Sequence, residues 1–248
     1  MEDGLAVKTN ALEILEKQLA ARAKKSDYGF VAVGSGTDAY IHHEAKYRLT
    51  KGMLQLLLKY RFPVFISTKC TMITRDIELL KAIDKTAILP EDLKDKLHRG
   101  LILSTSVSTL DEKISDILEP GAASPVRRLE LIKQLKQEGF FVGVNAIPVL
   151  PFISDTDENL EKIIAAAKEY EADYVLVGGL TLFGSEKADS KTLFYKFLER
   201  YDPSLLTKYQ QLYGSNSYVS FQYQNQLKER ADKLCKKYNI RNSIIKPA

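Results

Sequence analysis

Residues 30–40, Phe30-Val31-Ala32-Val33-Gly34-Ser35-Gly36-Thr37-Asp38-Ala39-Tyr40, decide the fold. Four apolar residues run without a polar break and stop at a Gly-Ser-Gly turn. A strand buried on both faces of a parallel sheet reads this way, and glycine supplies turn angles that other residues resist. Further bursts at 63–68, 101–107, 140–147 and 174–177 repeat the pattern, each bounded by Gly, Pro, Ser or Thr.

Between the bursts the apolar period is helical. Leu12, Leu15 and Leu19 share one stripe, and Leu54, Leu57 and Leu58 another. Pro125 suits the first turn of a helix carrying Leu129, Ile132 and Leu135, and Gly139 suits its stop. Asp155 with Glu158 three residues on resembles a capping pair for the helix of Leu160, Ile163, Ile164 and Ala167. Strand–helix alternation of this kind predicts right-handed βαβ units, hence an α/β fold with a parallel sheet or barrel. The series opens on a helix near 10–25, as if a first strand were missing.

After Gly184 the strand signals fade and helices are expected near 188–200, 203–213 and 218–238. Seven of the 13 tyrosines fall there, with 12 Lys+Arg against 6 Asp+Glu from Ser185 onward, a net +6 in a chain of net +4. Two parts are therefore expected: a βα region over 1–184 and a basic, tyrosine-rich helical extension over 185–248. The tail could stack on and track nucleic acid; amphipathic tyrosines on a solvated basic face would look the same.

Composition bounds the rest. At 248 residues, with 45% hydrophobic and 27% charged residues, the chain has material for one α/β barrel or up to two domains. Its 2 cysteines, Cys70 and Cys235, exclude a disulfide scaffold and any cysteine-only metal or cluster site made by this chain alone. There is no run of ~18 apolar residues, and the Met1-Glu2-Asp3-Gly4 start is not that of a secretory signal. No membrane partner and a cytoplasmic location are expected.

Parallel α/β folds bind ligands at the C-terminal ends of their strands. Here those ends read Gly34 to Tyr40, then Ser67-Thr68-Lys69-Cys70, then 104–109 with Ser104, Ser106 and Ser108, then Asn145-Ala146-Ile147-Pro148, then Gly178-Gly179. Small donors, one cation (Lys69) and one carboxylate (Asp38) suit a nucleotide-like ligand. General acid–base and nucleophile pairs are scarce. Each feature also has a plain structural reading: Gly34-x-Gly36 lacks the third glycine of a dinucleotide fingerprint and serves as a tight turn. Ser106 and Ser108 suit a strand end or cap, and Lys69 a solvated rim. Arg127-Arg128 could clamp an anion or line a helix face, Cys70 suits a small buried hydrophobe, and His42-His43-Glu44 lacks a third metal ligand at matching spacing.

Taken in order, Gly34 to Tyr40, Leu49-Thr50, Ser67-Thr68-Lys69, Arg75-Asp76-Ile77, Ser106 to Asp111, Glu119-Pro120-Gly121, Arg128-Leu129, Pro148 to Pro151 and Asp155 form a recognisable series. It is similar to the radical S-adenosylmethionine enzymes of the spore-photoproduct-lyase-like group, often labelled DNA repair photolyases, over about residues 5–185. The resemblance implies a partial (β/α)6 barrel, here lacking its first strand, with S-adenosylmethionine (SAM) and a [4Fe-4S] cluster as cofactors. It implies that Ser35, Gly36, Thr37 and Asp38 meet the methionine amino end and that Lys69 pairs with its carboxylate. Ser106, with Ser108 beside it, would reach the ribose or methionyl part, Ala146 would line the adenine, and Arg128 would position.

Two departures qualify what the resemblance implies. The C-x-x-x-C-x-x-C loop that holds the cluster is absent, so its thiolates would come from an upstream segment or a separate chain. Ser35 stands where spore photoproduct lyase carries a hydrogen-donating Cys, so the thymine-dimer substrate is not supported. The expected function is thus a radical SAM protein lacking its cluster loop and inactive alone. The alternatives are one component of a split protein completed by a partner chain, or a cluster-free nucleotide-binding βα barrel. Nucleic acid stays open as a partner.

Overall fold

The computed structural model describes residues 7–245. It is an α/β structure with a five-stranded parallel sheet in the order β1-β2-β3-β4-β5. The strands are β1 (Val31–Val33), β2 (Val64–Thr68), β3 (Leu101–Ser106), β4 (Val142–Val149) and β5 (Val175–Gly179). Each falls on one of the five apolar bursts. Helix α1 (Ala11–Lys24) precedes β1, and between the strands lie α2 (Glu44–Tyr47), α3 (Leu49–Lys59), α4 (Ile77–Thr86), α5 (Glu112–Leu118), α6 (Pro125–Gln137) and α7 (Asp157–Glu169). Strand order equal to chain order, with a helical connection at every step, is the arrangement of an open or partial barrel.

The chain divides into two compact units. The first runs to Ser104 and includes Gln137–Phe141; the second comprises Thr105–Lys136 and the chain from Val142. In the first, β1 and β2 pair in register Val31↔Val64, Ala32↔Phe65 and Val33↔Ile66. Leu54 and Leu57 of α3 and Leu80 and Ile83 of α4 are buried, whereas Leu58 is only half-buried. In the second, β4 and β5 pair in parallel, with Val144 opposite Val175 and Ala146 opposite Val177.

The helical extension consists of α8 (Ser190–Tyr201), α9 (Ser204–Tyr213) and α10 (Phe221–Lys237), within a residue or three of the expected bounds. It belongs to the second unit, where Phe194, Phe197, Leu198, Leu205, Tyr209 and Tyr213 form one core with Ile114, Leu150, Ile153 and Leu182. Among the described residues no helix is long and apolar enough to cross a membrane.

Pro125 opens α6 and Gly139 follows it with φ +84°. The start of α7 differs from the expected capping pair. Thr156, not Asp155, is the N-cap and accepts from the Asn159 amide. Asp155 is drawn away by stronger partners: it accepts from the Phe152 amide and the Tyr223 hydroxyl, both at 2.6 Å.

Candidate functional site

The first unit carries the 34–38 turn at the C-terminal end of β1. Gly34 has φ +93°, and a Cβ there would collide with the Ser67 carbonyl oxygen, so only glycine fits. Ser35, Gly36 and Thr37 are exposed, and a Cβ on Gly36 would meet nothing within 4 Å. Asp38 organises the turn. Its Oδ1 accepts from the Tyr40 amide at 2.9 Å and the Thr68 hydroxyl at 2.7 Å, and its Oδ2 from the Lys69 amide at 2.6 Å. Thr68 Oγ1 in turn accepts from the Cys70 amide at 3.0 Å. One carboxylate thereby ties the ends of two neighbouring strands together, leaving the hydroxyls before it to face outward.

Beside the turn lies a cavity of about 350 Å³, within the range of small-molecule sites, lined by Val33, Gly34, Thr37, Leu49, Met53 and His43 among others. His43 Nδ1 is buried with no hydrogen-bond partner. A buried polar atom of this kind is a place for a water or a ligand.

Below the turn runs a buried ionic network that residue spacing did not reveal. Arg75 pairs with Glu44 at 2.9 Å and with Asp76 at 2.7 Å. Asp76 accepts from the Tyr40 hydroxyl at 3.3 Å, and Glu44 accepts from the amides of Thr50 and Lys51. Burial, and then the Asp76 charge, push the Tyr40 hydroxyl above its ordinary range. The Asp76 hydrogen bond holds Arg75 more firmly charged. This accounts for Glu44 of the His-His-Glu triplet as a structural ion-pair member. Among the described residues no group of three or more His, Cys, Asp or Glu could hold a metal ion.

The second unit carries Ser106, Ser108, Arg128 and Ala146. Ser106 and Ser108 are nearly buried at the end of β3, and Ala146 is wholly enclosed, whereas its neighbour Ile147 is exposed. Arg128 is 1% exposed, and its donors are taken up by protein. They reach the carbonyls of Ala123 at 2.6 Å and Ser106 at 3.0 Å, the Glu119 carboxylate at 2.5 Å and the Ser115 hydroxyl at 3.5 Å. Its guanidinium therefore props the end of β3 and the loop before α6 from inside, and does not present itself to a ligand.

Cys70 is half-buried and Cys235 buried on α10, with burial pushing the Cys235 thiol up to about 12. The two lie in different units and have no neighbouring thiol in sequence.

No protein-family model matches the chain. An uncharacterized protein of Mycobacterium tuberculosis is 28% identical over 236 residues, which is 95% of this chain and 64% of that protein. An uncharacterized protein of Acidianus two-tailed virus is 30% identical over 148 residues, 58% of this chain and 44% of its own length. The chain thus spans less than two thirds of the relatives it matches. Among solved structures, a mutant of spore photoproduct lyase with bound AdoMet (SAM) and dinucleoside spore photoproduct is similar over 92% of this chain and 64% of that one. The TM-score is 0.61 at 12% identity. This chain has the α/β fold of spore photoproduct lyase.

Proposed function

We propose that the chain is the SAM-binding part of a radical SAM protein of the spore-photoproduct-lyase-like group, and that the cluster ligands come from outside its 248 residues. The observation that carries this reading is the 34–38 turn, held open by Asp38 on Thr68 and Lys69, in a chain with the fold of a SAM-binding lyase.

The methionyl end of SAM is a zwitterion with an apolar stem. The outward hydroxyls of Ser35 and Thr37 and the open backbone at Gly36 suit its amino group, and the Lys69 ammonium suits its carboxylate. The cavity wall of Val33, Leu49 and Met53 suits the stem, and the buried His43 Nδ1 offers a polar contact inside it. The resemblance assigns Ser106, with Ser108 beside it, to the ribose or methionyl part of the ligand, and Ala146 with neighbouring backbone to the adenine. Arg128 acts on the ligand only through Ser106, as a positioning residue.

A [4Fe-4S] cluster does not fit the residues present. It needs thiolates gathered on one loop, and the chain's two cysteines are 165 positions apart (70 and 235). No step is derived through it. An upstream segment or a separate chain carrying C-x-x-x-C-x-x-C would supply those ligands, and the greater length of the relatives supports this. The outer edge of β1 offers such a segment a strand to pair with. On this reading the chain alone binds SAM without cleaving it.

The cysteine count also favours a second reading, a cluster-free nucleotide-binding barrel. Thermal shift separates the two: SAM is expected to raise the midpoint while ATP does not, and Lys69→Ala is expected to abolish the shift. A shift with ATP and none with SAM overturns the SAM reading. Anaerobic iron–sulfur reconstitution of the chain alone is expected to leave it colourless; charge-transfer absorption near ~400 nm with stoichiometric iron would refute the external origin of the ligands.

A further inference from the structure

The cavity beside the 34–38 turn has two carboxylates in its wall, yet neither is open to a ligand. Asp38 already accepts from the Tyr40 and Lys69 amides and the Thr68 hydroxyl. Glu44 is buried, accepts from the Thr50 amide at 2.9 Å and the Lys51 amide at 3.2 Å, and has its charge met by Arg75 at 2.9 Å. The Thr50 hydroxyl is spent on the Ala39 carbonyl. What the wall presents instead is apolar: Val7, Ala11, Val33, Ile41, Leu49 and Met53. Lys8 also lies on the lining and is exposed. Among the described residues of the wall, the one buried side-chain nitrogen or oxygen without a partner is His43 Nδ1.

The His43 ring is held between aromatic neighbours. Its centroid lies 3.9 Å from that of His42 and 6.4 Å from that of Tyr47, and its carbonyl accepts from the Lys46 and Tyr47 amides. A buried nitrogen with nothing in the protein to bond is a loss that a ligand hydroxyl makes good. Nδ1 accepts from a hydroxyl when the ring proton is on Nε2, and donates to it when the proton is its own. Space is not limiting, since the cavity measures about 350 Å³. At ~30 Å³ per heavy atom, the four-atom stem of methionine fills on the order of a third of it and leaves room for about seven more. A charged group entering that room would exchange water for a wall without free countercharge.

We propose that this cavity binds a small uncharged molecule, apolar in body and carrying one hydroxyl, and that such a molecule is the class of substrate offered to the SAM site. The chemistry of the ligand rests on the wall alone; its place beside SAM rests on the reading above. An apolar body gains by leaving water for Val33, Leu49 and Met53. Its hydroxyl bonds His43, and a site built around such a bond discriminates against the analogue that lacks the group. A carboxylate or phosphate would be repelled by Asp38 and Glu44. An ammonium would find their oxygens already taken by amides, the Thr68 hydroxyl and Arg75. Charged molecules of the same size are thereby turned away.

The test is methyl NMR of the full chain labelled at methionine. The chain has 3 methionines, so Met53 reports on the cavity, and Met72, whose sulfur lies against Arg75, is the control. Phenol is the probe. It is expected to shift the Met53 signal saturably and leave Met72 in place, with SAM absent or saturating. Benzoate and benzylammonium, similar in size but charged, are expected to leave Met53 unmoved. His43→Phe keeps a flat ring without the nitrogen, and should lower the ratio of phenol to toluene affinity about 5- to 100-fold, because the hydroxyl is then buried unpaired. No Met53 shift with phenol, or an equal shift with either charged probe, overturns the proposal on the parent chain, whether or not the variant folds. An unchanged ratio in folded His43→Phe overturns the hydroxyl assignment. If SAM displaces phenol, the cavity belongs to SAM alone, and the proposal fails while the SAM reading stands. If SAM gives no thermal shift while phenol still moves Met53, the SAM reading fails and the ligand class stands. A Met53 shift on concentrating the chain without phenol would assign the cavity to a second copy and overturn the proposal.

Discussion

The two outer strands of the sheet are finished in opposite ways. β1 is three residues long, with Ala32 exposed. The Val31 amide donates to the Pro63 carbonyl, so by the alternation of a parallel ladder Ala32 turns its own peptide groups to the outer side. Among the described residues no strand pairs there. β5, by contrast, is covered by later chain: the Val175 amide donates to the Arg241 carbonyl at 2.8 Å, Tyr174 bridges Arg241 in parallel, and Gln224 takes the Gly179 amide. An exposed edge is a template for association, and covering it is the ordinary remedy. The extension spends part of α10 and the chain after it on that task. The β1 side spends its polar groups on holding an open turn.

This contrast can be broken or sharpened by substitution. The largest effect is expected at Arg128 in the second unit. Arg128→Ala leaves the Glu119 carboxylate and the carbonyls of Ser106 and Ala123 without their donor, and should lower stability by about 3–5 kcal/mol in chemical denaturation. A loss below about 1 kcal/mol would mean that water replaces the guanidinium and that the prop is dispensable.

On the β1 side, Gly34→Ala forces a side chain into a positive-φ position against the Ser67 carbonyl, for an expected loss of about 1–3 kcal/mol and no SAM-induced thermal shift. If the shift survives, the turn does not form the methionyl site.

Smaller again is Tyr223→Phe, which removes the hydroxyl that donates to Asp155 and should cost about 1–2 kcal/mol. The same tyrosines predict an alkaline asymmetry. Burial, and then neighbouring groups, push the hydroxyls of Tyr209, Tyr213 and Tyr223 above the ordinary tyrosine value of about 10. A folded pKa above the unfolded one means that the stabilisation is complete below about pH 10 and is lost as pH rises beyond it. In the first unit burial pushes the Tyr40 hydroxyl upward in the same way. NMR of ring-labelled tyrosine is expected to show these four hydroxyls still protonated when exposed tyrosines have ionised. Simultaneous ionisation with the exposed set would contradict their burial.

The smallest effect is expected at Lys59, whose ion pair with Glu16 at 2.6 Å lies in solvent. Solvation and screening offset such a pair, so Lys59→Ala should leave the denaturation midpoint unchanged.

The degree to which each feature was legible follows from the range of the forces involved. All five strands lie on bursts that are mostly apolar, a local property of the chain, although β3 and β4 carry Ser104, Thr105 and Asn145 within them. The Pro125 start and Gly139 stop of α6 were legible for the same reason, since each depends on the backbone angles of one residue. The cap of α7 lies one residue beyond Asp155 because Asp155 and Thr156 are both good caps and Asp155 is engaged by the Phe152 amide and by Tyr223, 68 positions away. Arg128 reads from sequence as one of two arginines on a helix face; its burial is set by the Glu119 and Ser106 groups it meets. The Arg75–Glu44 pair gave no local sign, because Glu44 lies 31 positions earlier; only the adjacent Asp76 was in view.

Sequence alone therefore determined the strand–helix alternation, the glycine turn after β1 and the count of two cysteines, too few for a cysteine-only metal or cluster site within this chain. These follow from local backbone preference, apolar periodicity and simple chemistry. Only the tertiary structure decided that Asp38 is a tie between strand ends, that Arg128 is an internal prop, and that α10 closes β5 while leaving Tyr218 and Phe221 in water. Those outcomes depend on which distant groups meet, and a charge or a ring acquires its role from the partner it finds.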